Sequence, residues 1–520
     1  MVLTLPPATE GRFSAAAVTR VVGALKGRTA SATRRNWLAA VARRATAQRP
    51  DLAGALLEVI GVDPGGHDLL AGLSIGEVGV CYEALLAHLD RGGRRDAGQY
   101  FTPDDAAAFM AAHARDFPPG RWLDPCSGVG NLSWHLAAAH GDPARFIRDD
   151  LILIDRDPTA LVSAVALIAA DFAGPGEEGA VRALAGRAVA RDFLARAPLP
   201  DHEFAILNPP YARAPARPGL RTGASRDLFA YFLERVVETS SGFIAVTPAS
   251  YLSIPKFQSL RDCIDEGMGG GDVYVFDNVP DTLFRGYKFG SNNTSKTNFV
   301  RAAITVARPD AAEWRLTPIL RWSTSSRPAM FAGAPALLSS RQLGPHGEWA
   351  KLPPELGGVW QELRSAPRTI ADLLADGETP YGLTVATTPR YYISATYRPL
   401  DRRSKAVLHF RSAADRDTAA VVLNSSLPYL WWRVLDGGVS LPTRVLRSVP
   451  VPDLAVPVGD LASAIRASEE ASVVTKLNAG RLNENVKHPA ALVDRLNAAV
   501  IPAARGHLEL VYSQNMFPLR

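Results

Sequence analysis

The chain has 520 residues and a mass of 55.7 kDa, room for several domains and well beyond the size at which a single core is marginal. A hydrophobic content of 47%, a charged content of 21% and a mean hydropathy of -0.01 are those of an ordinary globular protein; no run of 18 uncharged apolar residues occurs, and three cysteines (Cys81, Cys126, Cys263) are too few for a disulfide framework. The first residues, with Pro6, Pro7 and Glu10, lack the basic-then-apolar layout of a secretion signal, so the expected setting is the cytoplasm, without membrane.

A net charge of +5 says little, but its distribution says more. Residues 1 to 50 carry nine bases against one acid, a net of +8, and residues 381 to 450 carry ten against four, a net of +6. Two basic ends flank a near-neutral middle, which is the footprint expected of a polyanion partner or of a solvated arginine-rich surface.

Residues 13 to 90 read as helical, with Leu52, Leu56, Leu57 and Ile60 and then Tyr82, Leu85, Leu86 and Leu89 at spacings of three and four. From about 97 to 310 short apolar runs alternate with helical stretches: Arg121 to Leu123, Leu151 to Ile154, Phe204 to Leu207, Phe243 to Val246, Val273 to Phe276 and Phe299 to Val306. This is the pattern of buried parallel strands in a doubly wound, Rossmann-like α/β sheet, whose ligand lies beyond the carboxyl ends of the strands. After Pro309 the composition turns proline-rich. Short β-like runs follow at Tyr391 to Ile393 and Ala406 to Leu408, then an apolar helix near 419 to 435 and a helical segment from about 458 to 513. The expected division is an N-terminal helical domain (1–95), a catalytic domain (96–310) and a C-terminal α+β domain (311–520).

Four clusters carry chemistry. In Trp122 to Leu132 a strand ends in Asp124-Pro125 and runs into Gly128-Val129-Gly130, a turn that lets backbone approach a ligand and presents N–H groups at a helix start. With Ser133 where a third glycine would stand, it is not a dinucleotide fingerprint. At the next strand end, Asp155 is placed to accept from a ribose diol, or else to cap the following helix. Asp192-Phe193 pairs an acceptor for an exocyclic amine with a ring for a purine. The sharpest cluster is Asn208-Pro209-Pro210-Tyr211. The prolines lack N–H groups, so the Pro209 carbonyl and the Asn208 side chain can converge as acceptors on an NH₂ group, while Tyr211 offers a flat face to a base taken out of its stack.

The order Gly98-Gln-Tyr-Phe-Thr-Pro103, Asp124 to Gly130, Asp155 to Pro158, Asp192-Phe193 and Asn208 to Tyr211 resembles the adenine-N6 DNA methyltransferases of gamma-class motif order, whose target-recognition region follows the catalytic domain. The likeness covers roughly residues 75 to 310; beyond 380, Thr388 to Tyr392, Val422 to Leu427 and Ser448 to Pro452 are similar, more loosely, to recognition segments of that family. Leu207 stands where the family often has Gly before Asn-Pro-Pro, and Leu153 where its second acidic motif often begins with Gly.

The resemblance implies that Thr102 and Pro103 line the methionine end of S-adenosylmethionine, that Asp124 and Gly128 hold its amino-acid moiety, and that Asp155 binds its ribose. Asp192 and Phe193 would hold the adenine ring, and Asn208, Pro209, Pro210 and Tyr211 would form the catalytic loop. A further aromatic, Phe284 or Phe289, would flank the flipped base. Double-stranded DNA is the implied substrate, in a restriction–modification or phage-defence system; the +6 charge of residues 381 to 450, combined with Tyr391, Tyr392, Tyr397, Trp431 and Trp432, assigns that stretch to DNA, with Arg402, Arg403 and Lys405 expected on its backbone.

Two other readings stay open, a modification subunit that borrows a separate specificity or restriction subunit, and a glutamine-N5 protein methyltransferase. None of the eight lysines follows an acid by two residues, so the acid-x-Lys half of a common nuclease site is missing, and no C-x-x-C or H-x₃-H spacing predicts a metal.

Overall fold

Four helices, α1 (Ala15–Leu25), α2 (Ala30–Gln48), α3 (Ala53–Ile60) and α4 (Ile75–Leu89), open the computed structural model, which describes residues 15–89, 102–278, 280–284, 300–389, 392–438, 440–454, 456–478 and 481–512. Thr29 caps α2 by accepting from the Ala32 N–H. There follow α5 (Asp104–Ala112), β1 (Trp122–Asp124), α6 (Asn131–Ala139), α7 (Pro143–Asp149), β2 (Leu151–Asp155), α8 (Pro158–Phe172), α9 (Glu178–Gly186), β3 (Ala188–Ala190) and β4 (Phe204–Leu207). The alternation continues through α10 (Leu228–Thr239), β5 (Gly242–Pro248), α11 (Gln258–Gly267), β6 (Gly271–Phe276), β7 (Ala302–Ala307), β8 (Trp314–Leu320), α12 (Arg327–Gly333) and β9 (Ser339–Ser340).

These nine strands form one sheet in the order β3-β2-β1-β4-β5-β7-β6-β8-β9. The expected mixed α/β architecture is therefore present. Strand residues alternate between two cores: Leu151 and Leu153 of β2 face the core shared with α2, α6 and α8, whereas Ile152 and Ile154 face the core shared with α10 and α11. Both faces are covered, which is why the strands read as unbroken apolar runs.

Three expectations need correction. The sheet is not all parallel, because β7 pairs antiparallel with both β5 and β6, and β9 with β8; a strand buried on both faces has the same apolar pattern in either direction. The sheet also does not stop at residue 310, since β8 pairs with β6 and β9 with β8. Nor do the N-terminal helices keep a core of their own: Trp37 of α2 is fully buried in the sheet-side core, and its Nε1 donates to Ser163 Oγ of α8 at 2.9 Å.

The C-terminal region comprises β10 (Gln342–Leu343), β11 (Trp349–Ala350), α13 (Gly357–Arg364), β12 (Arg368–Thr369), β13 (Gly382–Ala386), β14 (Ala395–Thr396), β15 (Lys405–His409), α14 (Ala413–Leu423), α15 (Leu427–Leu435), α16 (Thr443–Arg447), β16 (Pro450–Val451), α17 (Val458–Glu469), β17 (Val473–Asn478), β18 (Arg481–Val486), α18 (Ala490–Val500) and α19 (Leu508–Tyr512). It has a separate core around Trp360 and Trp431, whose ring centroids lie 4.7 Å apart.

The apolar helix expected over 419 to 435 is two helices, broken where Asn424 Nδ2 donates to the Ala395 carbonyl, with Pro428 in the first turn of α15. The expected helical segment from 458 contains an antiparallel hairpin, β17 with β18, whose first strand begins with the β-branched Val473, Val474 and Thr475. Of the β-like run expected at 391 to 393, Tyr392 and Ile393 lie in irregular structure, and Tyr391 is outside the described residues.

Candidate cofactor and substrate cleft

The chain adds β2 and β3 on one side of β1 and then returns to place β4 on the other, so the order of connection reverses between β1 and β4. Adjoining loops diverge at such a point and leave a crevice beyond the carboxyl ends. Here it is a cleft of about 270 Å³, and Thr102, Asp124, Asp155, Phe193 and Asn208 all line it.

At the end of β1, Asp124 is buried, accepting from Ser133 Oγ at 2.8 Å and from the Cys126 N–H at 3.3 Å. Burial raises its pKa to about 7. The chain then turns through Gly128 at φ +52° and Gly130 at φ +91°, where any side chain is strained. The two glycines serve different ends. A Cβ on Gly130 would lie 2.9 Å from the Ala164 Cβ of α8, so this position packs the turn on the helix. A Cβ on Gly128 would meet nothing within 4 Å, so this position keeps the cleft open.

At the end of β2, the helix-capping role left open for Asp155 falls to its neighbour two residues on. Asp157 is the helix cap, its Oδ1 accepting from the Thr159 N–H. Asp155 instead reaches across the turn and accepts from Gly128 N and Asp157 N, each at 2.8 Å. Burial pushes its pKa up as well. After β3, Asp192 is exposed and accepts from the Leu194 N–H, while the buried Phe193 ring lies 5.2 Å from that of Phe232.

Asn208 follows β4, and its side chain is oriented by the segment before α5: Nδ2 donates to Thr102 Oγ1 at 2.9 Å. Asn131 Nδ2 donates to the Thr102 carbonyl at 2.8 Å, and Cys126 Sγ donates to the Asn208 carbonyl at 3.3 Å. The Thr102 segment, the glycine turn and the Asn-Pro-Pro loop are thus tied together. Tyr211 is held by its hydroxyl, which donates to the Val246 carbonyl of β5 at 2.8 Å.

Phe284 is buried edge-on to Tyr211, with ring centroids 5.7 Å apart. Arg327 of α12 holds this neighbourhood, pairing with Asp105 and donating to the carbonyls of Thr282 and Leu283. Phe289, the other candidate, lies outside the described residues.

Thr102 gives a direct test. Thr102→Val keeps the shape but removes the hydroxyl that orients the amide, and one lost hydrogen bond of this kind should lower the rate of the chemical step about tenfold. Thr102→Ser should restore it. Single-turnover assays of the methyl transfer that the resemblance implies measure both, and an unchanged rate constant in Thr102→Val would dissociate this contact from catalysis.

The C-terminal candidates are redistributed. Arg402 is buried, with its guanidinium on Thr388, Asn485 and the Glu484 carbonyl, so it joins the small sheet to the β17–β18 hairpin and does not face a DNA backbone. Arg403 and Lys405 are exposed. Trp431 and Trp432, which belong to the same basic stretch, are buried core residues.

Helix α4 is one part of the cleft that the sequence did not reveal, and α10 is another, through Leu228 and Phe232. Tyr82 of α4 lines the cleft and donates to Asp157 Oδ2 at 2.8 Å. Its spacing marks it only as a core residue, and nothing local says which cavity it borders. Among the described residues no His, Cys, Asp and Glu group is disposed to hold a metal, and no helix is long and apolar enough to cross a membrane.

The chain matches no protein-family model and no curated protein. Among solved structures it is similar to a modification subunit assigned to a type I restriction enzyme of Vibrio vulnificus, at 12% identity and a TM-score of 0.36 over 58% of this chain and 71% of that one. It is similar to the methyltransferase subunit of a type I restriction–modification system of Streptococcus thermophilus, at 16% identity and 0.32 over 48% and 53%. It is also similar to the type IIG restriction endonuclease BpuSI, at 10% identity and 0.41 over 96% and 79%.

Proposed function

We propose that this chain is a site-specific DNA methyltransferase that moves a methyl group from S-adenosylmethionine to N6 of an adenine turned out of the duplex, in a restriction–modification system. The observation that carries this reading is the convergence of Asp124, Asp155 and Asn208, from the carboxyl ends of β1, β2 and β4, on one cleft whose glycine floor is open. The catalytic unit would run from about 96 to 340, with the rest of the C-terminal region as the recognition part.

The residues present fit the cofactor. Gly128 leaves space for a ligand against the turn. Asp155 keeps lone pairs for two ribose hydroxyls beyond the two backbone donors it already serves. Asp124 would hold the ammonium of the amino-acid moiety, and Asp192 and Phe193 the adenine ring. Bound S-adenosylmethionine supplies an electrophilic methyl on a sulfonium.

The chain's own residues do the rest. An adenine amine is a poor nucleophile because its lone pair is delocalised into the ring. Acceptance of its two N–H groups by the Asn208 amide oxygen and the Pro209 carbonyl favours a pyramidal nitrogen and the positive charge that develops on it. Pro209 and Pro210 carry no N–H to compete for those acceptors. Tyr211, locked through Val246, presents a fixed ring plane for the base, with Phe284 beside it. Bound cofactor and base would fill the cleft, so that its walls hold the nucleophile in line with the methyl group and keep water from the reacting atoms.

Ionisation of Asp124 makes cofactor binding pH-dependent. Its folded pKa of about 7 lies above the roughly 3.9 of an unfolded Asp, so between these values the folded chain binds more protons, and this group's contribution to stability falls as pH rises. Binding an ammonium needs the carboxylate, so affinity should rise roughly eightfold from pH 6 to pH 7.5. Asp124→Asn should bind weakly and without that slope, as calorimetric titration would show; a flat wild-type profile would remove Asp124 from the ammonium site.

The function itself is tested by long-read sequencing of DNA from an expressing, otherwise methylation-free host. The expected result is N6-methyladenine in one sequence context. Unmodified DNA with methylated glutamine in a host protein would favour the protein-methyltransferase reading, and methylation only on addition of a specificity subunit would favour the modification-subunit reading.

A further inference from the structure

A second cavity, of about 250 Å³, lies in the seam between the sheet and the C-terminal region. Its polar lining is Ser250 and Ser253 after β5, Arg301 before β7, Lys351 after β11 and Asp436 after α15; Pro248, Val275 and Ile319 supply apolar wall. It opens beyond the carboxyl ends of β5 and β6, beside the proposed base site: the Tyr211 hydroxyl rests on the Val246 carbonyl, and the cavity begins two residues further along the same strand, at Pro248.

Charge sets this cavity apart. Asp277 at the end of β6 is 3% exposed and faces three guanidinium groups, Arg301 Nε at 2.8 Å, Arg433 Nη2 at 3.1 Å and Arg321 Nε at 3.5 Å. Asp436 and Glu348 both pair with Arg444, at 3.4 and 3.2 Å. With Lys351 protonated, five cations (Arg301, Arg321, Arg433, Arg444, Lys351) meet three carboxylates (Asp277, Asp436, Glu348), a net of +2; Arg321, Arg433, Lys351, Asp277 and Glu348 are buried, and Arg301, Arg444 and Asp436 are partly buried. Uncompensated buried charge opposes folding, and an anionic ligand relieves that cost. Two of these cations, Arg433 and Arg444, belong to the basic stretch at 381 to 450.

Lys351 makes the seam responsive. Its Nζ donates to Ser253 Oγ at 2.6 Å and to the Leu435 carbonyl at 3.2 Å. Burial draws its pKa down to about 7; Asp436 and Glu348 act against that fall, Arg301 and Arg261 with it. Near neutral pH it therefore holds its proton only part of the time, and an arriving anion would fix it.

Resting on the function proposed above, we infer that this seam binds a backbone phosphate of the DNA, with Arg301 and Lys351 as its cationic contacts and the apolar wall against the adjoining sugar. A phosphodiester uses both the charge and the apolar surface, whereas a free phosphate uses the charge alone.

The test compares the full-length protein with Lys351→Met, which keeps volume while removing the buried amine, and with Ser250→Asp, which sets a carboxylate at the cavity wall and leaves the Asp277 cluster intact. Binding of a labelled duplex is measured against salt. Each variant should lose about tenfold in affinity for every duplex sequence, and Lys351→Met should shorten the slope of log K against log salt by about one unit. S-adenosylmethionine affinity should not change.

Titration of the duplex at pH 7.5 in two buffers of different ionisation enthalpy gives a second readout. The wild type should take up a fraction of a proton because the phosphate raises the Lys351 pKa, so affinity falls as pH rises above 7; Lys351→Met should lose that uptake. If both variants fold, as cofactor binding reports, and keep wild-type DNA affinity, slope and proton uptake while the wild type methylates DNA, this inference fails and the function stands. If inorganic phosphate stabilises the wild type but not Lys351→Met while DNA affinity is equal in the two, the seam is a free-anion site and the inference also fails. A wild type that neither binds nor methylates DNA overturns the proposed function and this inference with it.

Discussion

Asn208→Ala should abolish methyl transfer while leaving S-adenosylmethionine binding in place. Asn208 stands at the end of β4, between the Thr102 hydroxyl that orients its amide and the Cys126 thiol that holds its carbonyl. An alanine keeps the strand and the two prolines but removes the side-chain acceptor from the attacking amine. Loss of a main acceptor of this kind costs about 3 kcal/mol or more in the transition state, roughly a hundredfold or greater in rate. The ground state should lose less, because the proposed cofactor contacts come from the Thr102 segment, β1, β2 and the turn after β3. Plasmid methylation by the purified variant, alongside calorimetric cofactor titration, measures both quantities; near wild-type methylation would refute the assignment.

Asp155→Ala should have the complementary effect, weakening S-adenosylmethionine binding about thirtyfold with little change in turnover at saturating cofactor. Removing an acceptor shared by two ribose hydroxyls leaves both donors unpaired, a loss on the order of 2 kcal/mol. The structure sharpens this experiment, because the helix cap is Asp157 and not Asp155. Asp157→Ala is therefore the control for destabilising α8, and should lower Tm with a smaller effect on the dissociation constant. An unchanged dissociation constant in Asp155→Ala would leave that residue with only its turn contacts to Gly128 and Asp157.

Much of the cleft was legible before any coordinates because its chemistry sits at strand ends. An apolar run followed by Asp-Pro, by Asp-x-Asp-Pro or by Asn-Pro-Pro-Tyr announces both a buried strand and the polar residue that leaves it, and in a doubly wound sheet those ends lie together. The six expected catalytic-domain strands are present, β4 (Phe204–Leu207) with the expected ends and the others with shifted ones. The short β3 was not expected as a strand, since its alanines and single valine carry little pattern.

Long-range contacts were not legible, because a residue's type and its local spacing do not say what it meets. Arg402 belongs to a basic stretch, yet the hairpin β17–β18 buries it; Trp431 and Trp432 look like stacking surfaces and instead fill a core. Composition cannot separate these cases, since a guanidinium or an indole serves a phosphate, a carbonyl or a hydrophobic neighbour equally well.

The sequence by itself determined the alternation of strands and helices, the carboxylate and amide left at the ends of β1, β2 and β4, and the glycine turn between them, because each depends on a few adjacent residues and on backbone rules that act locally. Only the tertiary structure decided that β7 runs against its neighbours, that the sheet continues to Ser340, that α4 walls the cleft, and that Arg301, Arg321, Arg433 and Lys351 meet across a seam. Those outcomes follow from which surfaces must be buried against one another, and burial is a property of the whole chain.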